Sequence, residues 1–250
     1  MSTKTILIAS ALVFGCGAKD EPSETDSIEL DEPASAGVEA SPGVEPVEVV
    51  AALESECRLV DPPAGLVDLR VEIPSARIEA GYHRPDNFTG APLPGYEAAG
   101  AWFDAEAATS LARVAKRLAD AGHGLIIHDA YRPRRASEAM VTWAQAQGRE
   151  DLLEQGWVAA RSLHNRGLAI DLGLYRLVDG QPIDMGSAWD HFGSSSFLRG
   201  VEGAALEHRL HLRDAMIESG FEPYRREWWH FSWADSSGRR SYDEPYRCQP

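Results

Sequence analysis

The stretch Ser162-Leu163-His164-Asn165-Arg166-Gly167-Leu168-Ala169-Ile170-Asp171 sets an imidazole and a carboxylate seven positions apart, separated mostly by small or flexible residues. Both are metal-ligand types, yet one His and one Asp are too few to close a metal site. Further ligands must come from elsewhere in the chain. Glu227-Trp228-Trp229-His230 supplies a second His with a Glu three residues before it. Together they meet the inventory of hydrolytic zinc chemistry, which needs three protein ligands, an open position for water and a base beside it.

Backbone geometry constrains how these residues could meet. In an extended strand side chains alternate, so Ala169 and Asp171 share one face while Ile170 and Leu172 point to the other. His164 must then precede that strand, swung round by a turn over residues 165–167 in which Gly167 supplies the backbone freedom. The same alternation sends Glu227 and His230 to opposite faces of a regular strand. One of them is therefore expected at a strand end or a bulge.

The elements that must position these residues can be read from periodicity. Ala107, Leu111, Val114 and Leu118 recur at helical spacing, with Asp104 able to cap the start and Gly122 suited to the end. Residues 124–133 (GLIIHDAYRP) read as a buried strand that delivers Asp129 to Arg132 at its exit. Further helices are predicted over about 134–147, more briefly over 151–160, and over 205–220, with strands over 167–174 and 226–233 and a hairpin-like turn over 178–181. Helices and strands are interspersed, which predicts an α+β fold around a small, mainly antiparallel sheet with packed helices.

Composition bounds the function class. The chain has 250 residues, 44% hydrophobic and 25% charged, enough for one good-sized globular domain and unlike a fibrous or disordered protein. Its formal charge of −15 is uneven: residues 17–56 carry twelve acidic side chains against Lys19 alone, a net of −11, and residues 57–250 a net of −5. No basic stripe exists to hold phosphate backbones, so nucleic acid is not an expected partner.

Residues 1–16 have one early Lys and an apolar run from Ile6 to Phe14, too short to span a bilayer, which is a signal-peptide pattern. Val13-Phe14-Gly15-Cys16 resembles a bacterial lipobox, in which Cys16 becomes the lipidated first residue; the alternative is a plain secretory signal. Residues 17–56 are rich in Glu, Asp, Pro, Ser, Ala and Gly without a sustained apolar period, the composition of a disordered tether. The expected organisation is a signal segment over 1–16, a tether over 17–56 and a catalytic domain over 57–250. The chain would be lipid-anchored in the cell envelope, facing the periplasm in a Gram-negative cell, with a secreted form as the alternative. With Cys16 assigned to lipid, Cys57 and Cys248 remain. In an oxidising compartment such an even pair is expected as a disulfide joining the two ends of the domain.

SLHNRGLAID resembles the S-x-H-x-x-G-x-A-x-D signature of the D-alanyl-D-alanine dipeptidases, zinc enzymes of vancomycin-type resistance and dipeptide use, and EWWHF is similar to their closing E-x-x-H element. YHRPDNFTG from Tyr82, DAYRP from Asp129 and MGSAWD from Met185 resemble family blocks in the same order. The resemblance implies the zinc D-Ala-D-Ala peptidase fold and one zinc ion per chain on His164, Asp171 and His230. It also implies Glu227 as general base and Arg132 as the cation that steadies the oxyanion. Tyr82, Ser162 and Asp190 match positions lining the substrate pocket, where a carboxylate near the substrate ammonium would enforce dipeptide size. The substrate implied is a small D,D-dipeptide. Two alternatives stay open: a carboxypeptidase or endopeptidase on peptidoglycan stem peptides, and a metal-binding envelope module without catalysis. Trp228 and Trp229 read as core and pocket wall, and His83, His123, His128, His191, His208 and His211 as structural or solvated. Oligomeric state is not legible.

Overall fold

Ile170, Leu172 and Leu174 alternate along one strand and are all buried, so that strand must carry a helix layer on one face and leave its other face for different work. The computed structural model describes residues 57–235 and 237–250. The signal segment, Cys16 and the acidic tether lie outside the described residues. In chain order the elements are β1 (Leu66–Asp68), α1 (Leu69–Glu72), β2 (Arg77–Ile78), β3 (Trp102–Asp104), α2 (Ala105–Asp120), β4 (His123–Asp129), α3 (Arg134–Ala146), α4 (Glu150–Glu154), β5 (Ala169–Arg176), α5 (Gly203–Glu218), β6 (Phe221–Pro223) and β7 (His230–Trp233). Short 3₁₀ turns occupy Gly81–His83, Leu163–Arg166 and Ser194–Ser196.

Five strands form one sheet in the order β2-β4-β5-β7-β6, parallel only between β2 and β4, while β1 and β3 make a separate antiparallel pair. The fold is the expected α+β class with a mainly antiparallel sheet. Helix α2 starts where Asp104 accepts hydrogen bonds from the backbone N–H of Glu106 and Ala107 at 3.0 and 3.3 Å, satisfying donors that a helix start leaves open. Leu111, Val114 and Leu118 of α2 and Leu212 and Met216 of α5 share one core with Leu125, Ile127, Ile170, Leu172 and Phe231 of the sheet. A second, aromatic core of Tyr82, Tyr96, Trp102, Tyr131 and Tyr246 also includes Ala136 and Met140 of α3. Among the described residues no helix is long and apolar enough to cross a membrane.

Two elements are shorter than their periodicity predicts. The strand expected over 226–233 begins only at His230, because Glu227 N–H donates to Tyr224 O at 3.3 Å, a turn bond, and Trp228 N–H donates to Ser196 O at 2.9 Å, in the distant 3₁₀ turn rather than in a neighbouring strand. The helix expected over 151–160 stops at Glu154, where Gly156 adopts φ +77° and Trp157 and Val158 both donate to Leu152 O.

The domain's ends are tied together. Cys57 and Cys248 form a disulfide with Cα atoms 5.2 Å apart across 191 residues. Nearby, Val60 N–H donates to Arg247 O at 3.0 Å, and Tyr246 is buried with its hydroxyl donating to Tyr131 O at 2.7 Å. A cross-link closing so long a loop stabilises by about 5 kcal/mol on the chain-entropy argument, an upper figure here because the termini also pair natively. Cys57→Ser is expected to lower the denaturation midpoint under non-reducing conditions, and reductant should bring the parent protein down to the variant. Equal midpoints without reductant would show that the bridge contributes nothing.

Candidate active site and metal centre

The register around Asp171 builds the site. Asp171 pairs with His230 on β7 and with Asp129 on β4, and paired residues point to the same face of a sheet. Ile170 and Leu172 point to the helix layer, so these three polar groups share the opposite face. Asp129 arrives there only because β4 is irregular at His128. Ile127 still pairs with Leu172, but the next pair is Asp129 with Asp171. The extra residue reverses the alternation and re-aims the carboxylate, as bulges beside functional sites do.

His164 comes from the 3₁₀ turn before β5. Ser162 caps that turn, its Oγ accepting from His164 N–H at 3.2 Å, and Gly167 ends it in the left-handed region at φ +66°. A Cβ at Gly167 would stand 2.7 Å from a Leu66 methyl, so the position needs glycine on two counts. His164 Nε2 then lies 3.3 Å from Asp171 Oδ1 and 3.2 Å from His230 Nδ1, and His230 Nδ1 lies 2.9 Å from Asp171 Oδ1.

These distances fit a metal. Donors about 2.0–2.1 Å from a tetrahedral zinc ion lie roughly 3.3 Å from one another, close to the spacing found. The remaining ring nitrogens are engaged elsewhere: His164 Nδ1 bonds Ala130 O at 2.6 Å and His230 Nε2 bonds Ser232 Oγ at 3.3 Å. The Ala130 carbonyl can only accept, so His164 Nδ1 carries the proton and a bare Nε2 faces the Asp171 carboxylate, whereas the Ser232 hydroxyl steadies the His230 ring in either tautomer. Among the described residues this is the group of His, Asp and Glu side chains able to hold a metal ion.

All eight side chains singled out by the sequence line one cavity of about 270 Å³: Tyr82, Arg132, Ser162, His164, Asp171, Asp190, Glu227 and His230. Glu227 sits in the turn before β7, its Oε2 3.7 Å from His230 Nδ1, which resolves the parity conflict with His230 at the strand's first residue. Arg132 donates Nε–H to Asp129 Oδ2 at 2.9 Å, with Nη2 at 2.8 Å from the same oxygen, and its guanidinium lies 4.9 Å from the centre of the Tyr82 ring. Tyr82 OH donates to Asp190 Oδ2 at 2.8 Å, and Asp190 holds the strained φ of +56°. Ser162 faces the cavity but is also committed to the cap beneath His164.

Electrostatics favour cationic ligands. Burial acts to raise the Asp171 carboxyl, yet His164 and then His230 hold it well below the usual carboxylate range. Burial, followed by the Asp171 charge, pushes Glu227 up to about 8. Burial and then Asp171 also raise Asp190. Each acid makes its neighbours harder to ionise, and a positive ion or ammonium placed among them relieves that repulsion.

Three supporting residues escaped the sequence reading. Asp129 accepts from Arg132, receives Tyr96 OH at 2.5 Å and lies 3.3 Å from His164 Nδ1. Asn165 donates to Arg132 O at 3.0 Å and Ser137 Oγ at 2.9 Å, clamping the turn against the start of α3. Trp189 Nε1–H reaches Asp171 Oδ2 at 3.4 Å and its ring stacks on His128 with centroids 5.4 Å apart. The Asp129–Arg132 spacing was visible in DAYRP, but the bulge that turns Asp129 inward leaves no simple pattern.

Residues 63–250 match the peptidase M15 family, described as D-ala-D-ala dipeptidase. The chain belongs to this family. Relatives include the D-alanyl-D-alanine dipeptidase of Enterococcus faecium, 37% identical over 181 residues that span 66% of this chain and 90% of the relative. The protein of that name from Enterococcus faecalis is 34% identical over 73% of this chain and 94% of its own length, and that from Escherichia coli 35% identical over 73% and 92%.

In this M15 chain the Asp129–Arg132 pair is an energetic as well as a geometric fixture, since Arg132 is only 9% exposed. Removing one partner of a buried ion pair costs about 3–5 kcal/mol. Asp129→Ala is therefore expected to lower the urea midpoint sharply, whereas Asp120→Ala, which breaks the exposed Lys116–Asp120 pair, should leave it almost unmoved. Similar midpoints for both variants would contradict a supporting role for Asp129.

Proposed function

We propose that this protein hydrolyses D-alanyl-D-alanine to two D-alanines, with one zinc ion per chain held by His164, Asp171 and His230. The observation that carries this reading is the convergence, in a family member, of the ligand triad, Glu227, Arg132 and Asp190 on one small cavity. Zinc bound there supplies a Lewis acid that polarises a carbonyl oxygen and acidifies water.

The chain's own residues do the rest. Glu227 is the general base: a carboxylate raised toward neutrality accepts a proton readily and can hand it on to the leaving amine. Arg132, fixed by Asp129 before substrate arrives, directs its remaining donors at the negative charge growing on the carbonyl oxygen, with little reorganisation. Asp190, steadied by Tyr82, takes the substrate ammonium. A longer peptide would bring an uncharged amide to that point and lose the ion pair, so the arrangement selects dipeptides.

Residues 57–250 form the catalytic domain in this proposal, carried outside the cytoplasm by a lipidated Cys16 and the acidic segment 17–56, where cell-wall fragment turnover supplies the dipeptide. The Cys57–Cys248 disulfide supports an oxidising compartment.

Purified protein is expected to release D-alanine from D-Ala-D-Ala and to spare both the L,L isomer and a pentapeptide stem. Hydrolysis confined to the stem would replace this reading with a carboxypeptidase. Glu227→Gln should retain zinc yet lose roughly a hundredfold or more in turnover; near-normal turnover would remove the general-base assignment. His230→Ala should lose bound zinc and hydrolysis together, and full zinc content in that protein would count against the triad.

A further inference from the structure

Two permanent cations, Arg132 and Arg161, line the active-site cavity, and only one of them is neutralised. Arg132 is buried and bound to Asp129. Arg161 is exposed, and among the described residues it makes no hydrogen bond or ion pair. It sits on the rim segment 156–161, whose start is pinned by the bonds from Trp157 and Val158 N–H to Leu152 O at 2.9 and 3.1 Å. Its chain neighbour Ser162 caps the turn that carries His164. Arg161 is thus held near the ligands at one end and free at its guanidinium.

The other charges on the cavity wall explain why a free cation matters there. Asp171, Asp190 and Glu227 all line it, and none of these acids can pair with a ligand's carboxylate. A dipeptide carries an ammonium and a carboxylate. Its ammonium has Asp190, and its carboxylate needs a cation other than Arg132, which is committed to Asp129, and other than the zinc that the reaction itself uses. A guanidinium offers parallel N–H donors that match a carboxylate in both charge and shape.

We propose that Arg161 binds the free C-terminal carboxylate of the substrate. The inference rests on the dipeptidase reading and adds a second specificity contact to it: Asp190 takes the ammonium end, Arg161 the carboxylate end, and the cavity selects a ligand that presents both charges. Because Arg161 is exposed, the interaction is screened by salt.

The test uses zinc-loaded Glu227→Gln protein, in which turnover is slow enough for equilibrium binding, and compares D-Ala-D-Ala with D-alanyl-D-alaninamide, which lacks the carboxylate. Calorimetry is expected to show the acid binding about tenfold or more tightly than the amide at low salt, with the gap narrowing as salt rises. Adding Arg161→Gln should remove the gap by weakening the acid and not the amide, and Arg161→Lys should restore part of it. An acid–amide gap that survives Arg161→Gln overturns the proposal, as does equal binding of the two ligands to the Arg161 protein. Zinc content and circular dichroism of each variant exclude loss of the site or the fold as the cause. The enzymatic reading is tested separately on the parent protein: failure to hydrolyse D-Ala-D-Ala would remove the dipeptidase function while the binding gap still reports on Arg161.

Discussion

Asp171 is held between two neighbouring strands, opposite Asp129 on one side and His230 on the other, and the rest of the site follows from that register. Pairing with His230 brings an imidazole nitrogen to 2.9 Å of the carboxylate. Pairing with Asp129 brings in the anchor for Arg132 and a further partner for His164. A slip of one residue in either pairing would send its groups into the apolar layer, where Ile170, Leu172 and Phe231 are buried. The same hydrophobic core that stabilises the fold therefore enforces the geometry of the polar face.

That geometry carries a cost that the surrounding structure offsets. Asp129 and Asp171 are like charges on adjacent strands, an arrangement that is destabilising alone. Arg132 lies against both, 2.8 Å from Asp129 and 3.8 Å from Asp171, and the two imidazoles stand beside Asp171. Tyr96 and Asn165 complete the hydrogen bonding around this cluster. Buried polar groups that are all satisfied hold one arrangement firmly, which is what a preorganised site requires.

The aromatic core beneath α3 links this cluster to the ends of the domain. Tyr246 lies in it, accepts from Trp102 N–H at 3.0 Å and donates to Tyr131 O, immediately before Arg132. Two residues after Tyr246 comes Cys248, bridged to Cys57. The chain terminus is consequently packed behind the loop that presents Arg132.

The proposed chemistry was legible in the sequence because metal binding, proton transfer and charge stabilisation each call on a small set of side-chain types, and His164, Asp171, Glu227 and His230 stand in two short, recognisable segments. The helices α2 and α3 and the strand β5 were legible for a different reason: apolar periodicity reflects which face each element buries. Tertiary structure alone decided how the parity conflict between Glu227 and His230 is resolved, since the turn that shortens β7 depends on a bond from Trp228 to Ser196, far away in sequence. It alone decided that Asp129 faces Asp171, because the irregularity at His128 is a property of strand pairing and not of the segment. The same holds for Arg161, whose identity is visible in the chain but whose lack of a partner is not. Residue type is a local property, whereas register and counter-charge depend on what the fold brings alongside.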